Sequence, residues 1–448
     1  MTHQTGTIAP MRRRVVISGL GPVSCFGVGI DPLWTALLEG RSGMAPVRAF
    51  DAGGMLCRLG AEIPAGFSVR DFVPKTYRKA TKVMARDIEI AVAAARAATL
   101  DANILTRGFC EDGQTPTYEG ARIGCSIGAG LIAAEIPELS AAFVTATNDA
   151  GAFDYDKWGA EGINNLTPLW LLKYLPNMLA CHVTIVHGAE GPSNTITCAE
   201  ASGLLSVGES RAVIERSDAE LCFSGSAESK ISPLGYNRLE CAKRLARTDP
   251  DADPTSFVRP FDPDAPGSIP GEGGGILLLE EREAARSRNA RPYAEILGFG
   301  AGQSSIRGDA RARSEGLTNA IERALEDAEV APGEVDAIVP GAQGATEVDD
   351  AEAAALREVF ADRLPNIPLI TLTPNLGSTY AGAGGLALSV AALCLRHQTL
   401  PARLHAGRCP DDLDAGPAPT RDARLRRILV CTTALGGQNA AVLLTTPE

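Results

Sequence analysis

The chain has 448 residues, 42 Lys+Arg against 54 Asp+Glu, and a formal net charge of −12. That acidic balance argues against a large nucleic-acid interface, which needs a positive surface. With 45% hydrophobic and 21% charged residues, dominant disorder is excluded, and the length suits two domain-sized units or one fold built from two halves.

The first ten residues, MTHQTGTIAP, are polar and read as a tail without a secretory signal. Short β-branched runs that end in small residues predict strands over 14–19, 121–128, 194–198, 220–225, 336–340 and 427–431. Ala-rich stretches between them predict helices over 88–100, 201–216, 317–328, 351–360 and 384–395. Strands alternating with helices argue for an α/β protein with a mostly parallel sheet covered on its faces. The longest nearly apolar stretch, 380–395, is shorter than the roughly 20 residues of a membrane span, so it reads as a buried helix and no membrane partner is expected. The 11 cysteines are scattered, with no CxxC pair and no Cys/His cluster, which points to reduced thiols in a cytoplasm and to no metal site.

Segments 210–229 and 320–346 share an order of helix, acidic entry, strand and small-residue turn, which suggests two halves of similar topology. A charged connector at 280–289 divides them, giving an N-terminal half over 11–285 and a C-terminal half over 286–446. Residues 410–421 read as a surface loop.

The most informative segment is GPSNTITCAEASGLLSVGE (191–209). A β-rich run enters a tight turn, and a helix starts at once. This is the form of a nucleophile elbow, in which the residue at the bend faces the free amides of a helix N-terminus. The bend residue is Glu200. The plainer alternative is a surface Glu favoured by the helix dipole. Lys75, Arg78, Lys79 and Lys82 form a basic cluster in an acidic chain, either a solvated face or a docking site for an acidic partner. Gly19 and Gly21 make too incomplete a glycine pattern for a dinucleotide, so no cofactor is expected.

Several motifs, in order and spacing, resemble the β-ketoacyl-acyl-carrier-protein synthases over roughly residues 13–445. They are VVISGLGPVSCFGVG (15–29), WTALLEGRSGMAPV (34–47), LPNMLACHVTIVHGAEGP (175–192), VRPFDPDAPGSIPGEGGGILLLEE (258–281) and CTTALGGQNAAVLL (431–444). The resemblance implies a thiolase-like fold of two pseudo-duplicated halves with mostly parallel mixed sheets sandwiched by helices. It also implies a site in which an elbow Cys carries the acyl group, two His assist malonyl decarboxylation and a Lys supports them.

In this sequence those positions hold Glu200, Gln343 (in GAQGATE, 341–347), Ser378 (in GSTYAGAGG, 377–385) and Thr373. The five histidines, at 3, 182, 187, 397 and 405, fall in none of these turns. A carboxylate cannot form the thioester, and neither Gln nor Ser relays protons near neutral pH. Cys198, two residues before Glu200, reads as a buried packing residue rather than a displaced nucleophile.

The same pattern of replacements is similar to the chain length factor, or ketosynthase β subunit, of type II polyketide and polyene systems. The elbow residue there is often Gln, so Glu200 departs from it, as does Leu435 where the family usually carries a gating Phe. The resemblance implies a heterodimer with an active ketosynthase α subunit, and an acyl carrier protein bearing a phosphopantetheine-bound acyl chain. It makes Lys75, Arg78, Lys79 and Lys82 a candidate carrier-docking site, and segment 130–145 a candidate for reaching the partner's acyl tunnel. Glu200 is expected to plug a vestigial oxyanion pocket near the amides of Glu200 and Leu435, while Asp349 and Glu352 orient a turn and a helix start. Two other functions compete. One is a stand-alone enzyme using Glu200 as general base on a malonyl or acyl thioester. The other is a carrier-binding scaffold homodimer.

Overall fold

The computed structural model describes residues 12–248, 253–307 and 310–448; the tail expected over 1–10 lies outside them. Five strands form the N-terminal sheet: β1 (Val15–Ser24), β2 (Ile123–Ala129), β3 (Ser193–Ile196), β4 (Leu221–Ser229) and β5 (Glu272–Glu281). Their order is β3-β2-β4-β5-β1. Four more form the C-terminal sheet: β6 (Ala294–Gln303), β7 (Ala337–Val339), β8 (Arg427–Thr433) and β9 (Gln438–Thr445), in the order β7-β8-β9-β6. The sheets join through two pairings only, Val16 with Glu295 and Ile17 with Ala294.

Both sheets are mixed, and their strand directions match. β2 runs parallel to β4, which is antiparallel to β5, which is antiparallel to β1. β7 runs parallel to β8, which is antiparallel to β9, which is antiparallel to β6. The duplication is therefore visible in the topology, but it pairs β2 with β7 and β4 with β8. The sequence echo paired 210–229, which carries β4, with 320–346, which carries β7. It is one unit out of step, because every helix–strand unit of such a fold carries the same local pattern.

Helices fill three layers. α1 (Arg86–Asp101) covers the outer face of β1, β5 and β4, with α3 (Met178–His187) beside it. α4 (Ser202–Glu215) and α8 (Ala383–His397) lie between the sheets, each touching strands of both. α6 (Ala310–Asp327) covers β6 and β9 on the far side, and α7 (Thr346–Phe360) packs on it. Two further helices, α2 (Ile136–Thr145) and α5 (Pro233–Cys241), follow β2 and β4. α8 is apolar nearly all round because both of its faces are covered. Its Gly385 lies against β5 so closely that a Cβ there would stand 2.1 Å from the carbonyl oxygen of Gly275.

Such glycines explain why β5 carries no β-branched run at its start: backbone approach, not side-chain packing, sets its first residues. Two local expectations change. The connector at 280–289 begins inside β5, and Glu280 is fully buried, accepting from Arg288 Nε at 2.6 Å and Nη2 at 2.7 Å. Pairing, not solvent, satisfies its charge. The loop at 410–421 is not wholly on the surface, since Leu413 and Ala415 join the core around α6 and α7.

Asp87, in the first turn of α1, is buried beside Glu228 and Lys230, and accepts from the Ser229 amide at 3.3 Å. Glu272, paired with Arg86, receives the Ser229 hydroxyl next to it. Burial pushes the Asp87 carboxyl up to about 7, with Lys230 pulling down and Glu228 pushing up. A carboxyl raised in the folded state binds its proton more tightly there than in the unfolded chain. The stability it contributes is present below its ordinary value and is lost as pH rises through the folded one. Asp87→Asn is expected to flatten the dependence of the urea midpoint on pH between about 4 and about 7, gaining on the parent as pH rises. Parallel curves for the two proteins would contradict this assignment.

Candidate functional site

β3 ends at Ile196, the chain turns through Ala199–Ala201, and α4 begins at Ser202. The Cys198 amide donates to Ser202 Oγ at 2.8 Å, and that hydroxyl donates to the Ala129 carbonyl at 3.2 Å, which pins the turn to β2. The left-handed residue is Ala199, with φ 47°, so the backbone strain of the elbow falls one residue before Glu200. Glu200 is 2% exposed, which removes the surface reading. Cys198 is half-buried rather than buried, and burial pushes its thiol up, away from a reactive thiolate.

Two groups hold the Glu200 carboxylate. The Leu435 amide donates to Oε2 at 3.4 Å. The other is Arg244, whose Nη1 forms an ion pair with Oε1. Arg244 is 5% exposed. Burial opposes its charge, and Glu200 together with Tyr380 and Asp349 more than offsets that, so the guanidinium stays protonated. Its position follows from how α5 ends. Lys243 takes a left-handed φ of 54°, the Arg244 amide donates back to the Leu239 carbonyl at 3.0 Å, and the Arg244 carbonyl accepts from Ser268 N–H at 2.8 Å. The guanidinium lies 5.3 Å from the ring centroid of Tyr380, itself left-handed at φ 49°. Its Nε and Nη2 have no hydrogen-bond partner among the described residues. Sequence reasoning missed Arg244. The run AKRLAR (242–247) holds three basic residues, and nothing local shows which one turns inward.

Gln343 sits on a turn with a left-handed Ala342, φ 41°. Glu352 accepts from the Gly341 and Ala342 amides, both at 2.7 Å. Asp349 accepts from Gln343 N–H at 2.8 Å, Gly344 N–H at 2.9 Å and Phe261 N–H at 3.0 Å. The two acids thus hold the turn and the start of α7. Burial raises both carboxyls, and the charge of Asp349 raises Glu352 further. Gln343 Nε2 donates to the Thr433 carbonyl at 3.4 Å, and its Oε1 has no partner. Thr373 Oγ1 donates to the Ala342 carbonyl, tying the Thr373 and Gln343 segments together. Ser378 is held by its backbone, donating to Ile269 O at 2.7 Å and accepting from Gly271 N–H at 2.8 Å. All four sequence-selected residues, Glu200, Gln343, Thr373 and Ser378, are buried. They stand on four separate segments, which the Glu200–Leu435, Gln343–Thr433 and Thr373–Ala342 contacts stitch together in part.

Away from this centre, Lys75, Arg78, Lys79 and Lys82 are exposed on two tight turns, and none forms an ion pair among the described residues. The second turn packs on Trp170–Tyr174. Along segment 131–185, Leu131, Phe143, Val144, Leu169, Leu171 and Ile185 are individually exposed. α2 buries only Ala142, so segment 130–145 does not pack as an ordinary core helix. Beside it β3 is the sheet's edge, paired on one side only. Among the described residues no helix is long and apolar enough to cross a membrane.

Duplicated mixed sheets, two helices sandwiched between them and a strained strand–turn–helix elbow define a thiolase-like synthase architecture. The family model for the β-ketoacyl synthase N-terminal domain matches residues 12–285, and that for the C-terminal domain matches 293–407. The chain belongs to the β-ketoacyl synthase family. It is 29% identical to the 3-oxoacyl-[acyl-carrier-protein] synthase 2 of Coxiella burnetii, over 97% of this chain and 98% of that one. It is 30% identical to a putative polyketide beta-ketoacyl synthase 1 of Streptomyces cyaneus, over 98% and 99%. Among solved structures it is similar to the ishigamide ketosynthase/chain length factor, with TM-score 0.80, 27% identity and coverage of 98% of this chain and all (100%) of the other. A beta-ketoacyl synthase from Burkholderia phymatum shares the fold at TM-score 0.81 and 24% identity, over 98% of this chain and 100% of that one.

Proposed function

We propose that this chain is a ketosynthase-family subunit without acyl-transfer chemistry of its own. In this reading it is a chain-length-factor-like partner that pairs with an intact β-ketoacyl synthase and shapes the tunnel for an acyl chain growing on acyl carrier protein. Residues 11–285 form the elbow-bearing half and 286–446 the second half. The observation that carries the reading is the Glu200–Arg244 ion pair, buried where the family's nucleophile stands. A carboxylate cannot form a thioester, and one buried against a cation at Oε1 and a backbone amide at Oε2 is held in its charged form, which favours a structural Glu200 over a general base. Gln343 and Ser378 supply no imidazole.

Pairing is supported by the exposed apolar side chains carried by segment 131–185 and by the unpaired edge of β3, surfaces that a partner would cover. Similar proteins are consistent with both partners, one a ketosynthase/chain length factor and another a 3-oxoacyl-[acyl-carrier-protein] synthase. The free basic cluster suits an acidic carrier protein. Free cysteines throughout suit a cytoplasmic setting.

Co-expression with a candidate intact synthase tests the reading. The two chains are expected to co-purify, and the pair's product length should change when this subunit is exchanged. Intact-mass measurement after incubation with an acyl-carrier thioester is expected to find the acyl group on the partner. A stable acyl adduct on this chain would overturn the proposal.

A further inference from the structure

Arg244 is fixed by contacts that have nothing to do with acyl transfer. The left-handed turn at Lys243 and the Ser268 bonds to the Arg244 carbonyl set its backbone before the side chain reaches Glu200. The guanidinium then spans from the Tyr380 ring to the elbow. Four segments meet on this pair: the elbow, the run after α5, the Tyr380 turn and the Leu435 turn. Neither partner is tenable alone, because each would be an uncompensated charge with almost no exposure. A cleft of about 80 Å³ opens nearby, lined by Ile306, Arg313, Glu347, Thr433 and Leu435 among others. Neither Glu200 nor Arg244 lines it.

We infer that Arg244 is the residue that closes the elbow to thioesters: its side chain fills the approach to position 200, with Glu200 neutralising it. The inference rests on the proposed loss of acyl-transfer chemistry and deepens it. It says that the vacancy at position 200 is not enough to describe the site, because a thiol restored there would still be shielded. Arg244 is a positioning residue, since in this role it touches no substrate.

Two double variants separate volume from charge. Glu200→Cys with Arg244→Met keeps a long side chain, and Glu200→Cys with Arg244→Ala leaves a gap; both lack the cation. Each is pulsed with iodoacetamide in the full-length chain, and the peptide carrying position 200 is quantified by mass spectrometry. Cys394 and Cys431, both buried, report in the same digest whether the chain stays folded. The thiol is expected to label at least about tenfold faster in the alanine variant, as access governs thiol reactivity once charge is equal. Equal rates in folded protein would overturn the inference. If the methionine variant exposes Cys394, Arg244→Gln, also uncharged, replaces it as the filled member, and equal rates again refute closure. A chain that failed to bind any synthase would still return one of these results, so this test fails separately from the pairing proposal.

Discussion

Arg244→Ala, with Glu200 left in place, is expected to cost about 3–5 kcal/mol of folding stability, because it strands a carboxylate in the interior. Glu200→Ala should cost a similar amount for the mirror reason. The Glu200→Ala, Arg244→Ala double variant should lose much less than the sum, since it leaves no unpaired charge in the interior. Urea unfolding of the four proteins gives the coupling, expected at about 2 kcal/mol or more for residues in direct contact. Additive losses would show that the pair does not act as a unit. The effect is expected to be large because both partners are so well buried, at 2% and 5% exposure, and because Arg244 already leaves Nε and Nη2 without hydrogen-bond partners among the described residues. Removing its ion-pair partner leaves the cation with the face of Tyr380 and the more distant charge of Asp349.

Phe143→Asp combined with Val144→Asp is expected to abolish co-purification with the intact synthase. Central apolar anchors of an interface carry about 2 kcal/mol or more each, and a carboxylate in a desolvated patch adds a penalty. The isolated chain should keep its thermal midpoint, since these side chains are 47% and 74% exposed. This contrast makes the experiment informative: lost pairing with an unchanged midpoint locates the contact, and retained pairing removes this face from it. In the same helix, Ala141→Trp adds bulk on an exposed position and is expected to shorten the products of the pair if segment 130–145 reaches the tunnel. An unchanged product spectrum would leave α2 a contact surface with no part in setting length.

Much of the architecture was legible in the chain's local chemistry. The helix over 384–395 could be placed inside the molecule because it is apolar without a polar stripe, and it lies between both sheets. The elbow could be placed because a β-rich run, small residues and a helix start must bend the chain there. What misled was equally local. Glu280 looked like part of a solvated connector, since acidic runs usually are, until Arg288 and Tyr118 were found beside it. β5 went unseen because its glycines serve backbone contacts with α8 and carry no strand propensity.

By itself, then, the linear order of residues determined the family and the duplicated α/β plan, and it set the expectation that Cys, His and Lys are replaced at four motif positions. These are properties of short segments and their spacing, and they survive without coordinates. Only the folded molecule decided that Glu200 is buried on Arg244, that four non-glycine residues around the site keep left-handed backbones, and which strands of the two halves correspond. The physical reason is the same in each case. A buried charge selects its partner by distance in space, and that distance is set by packing between elements far apart in the chain.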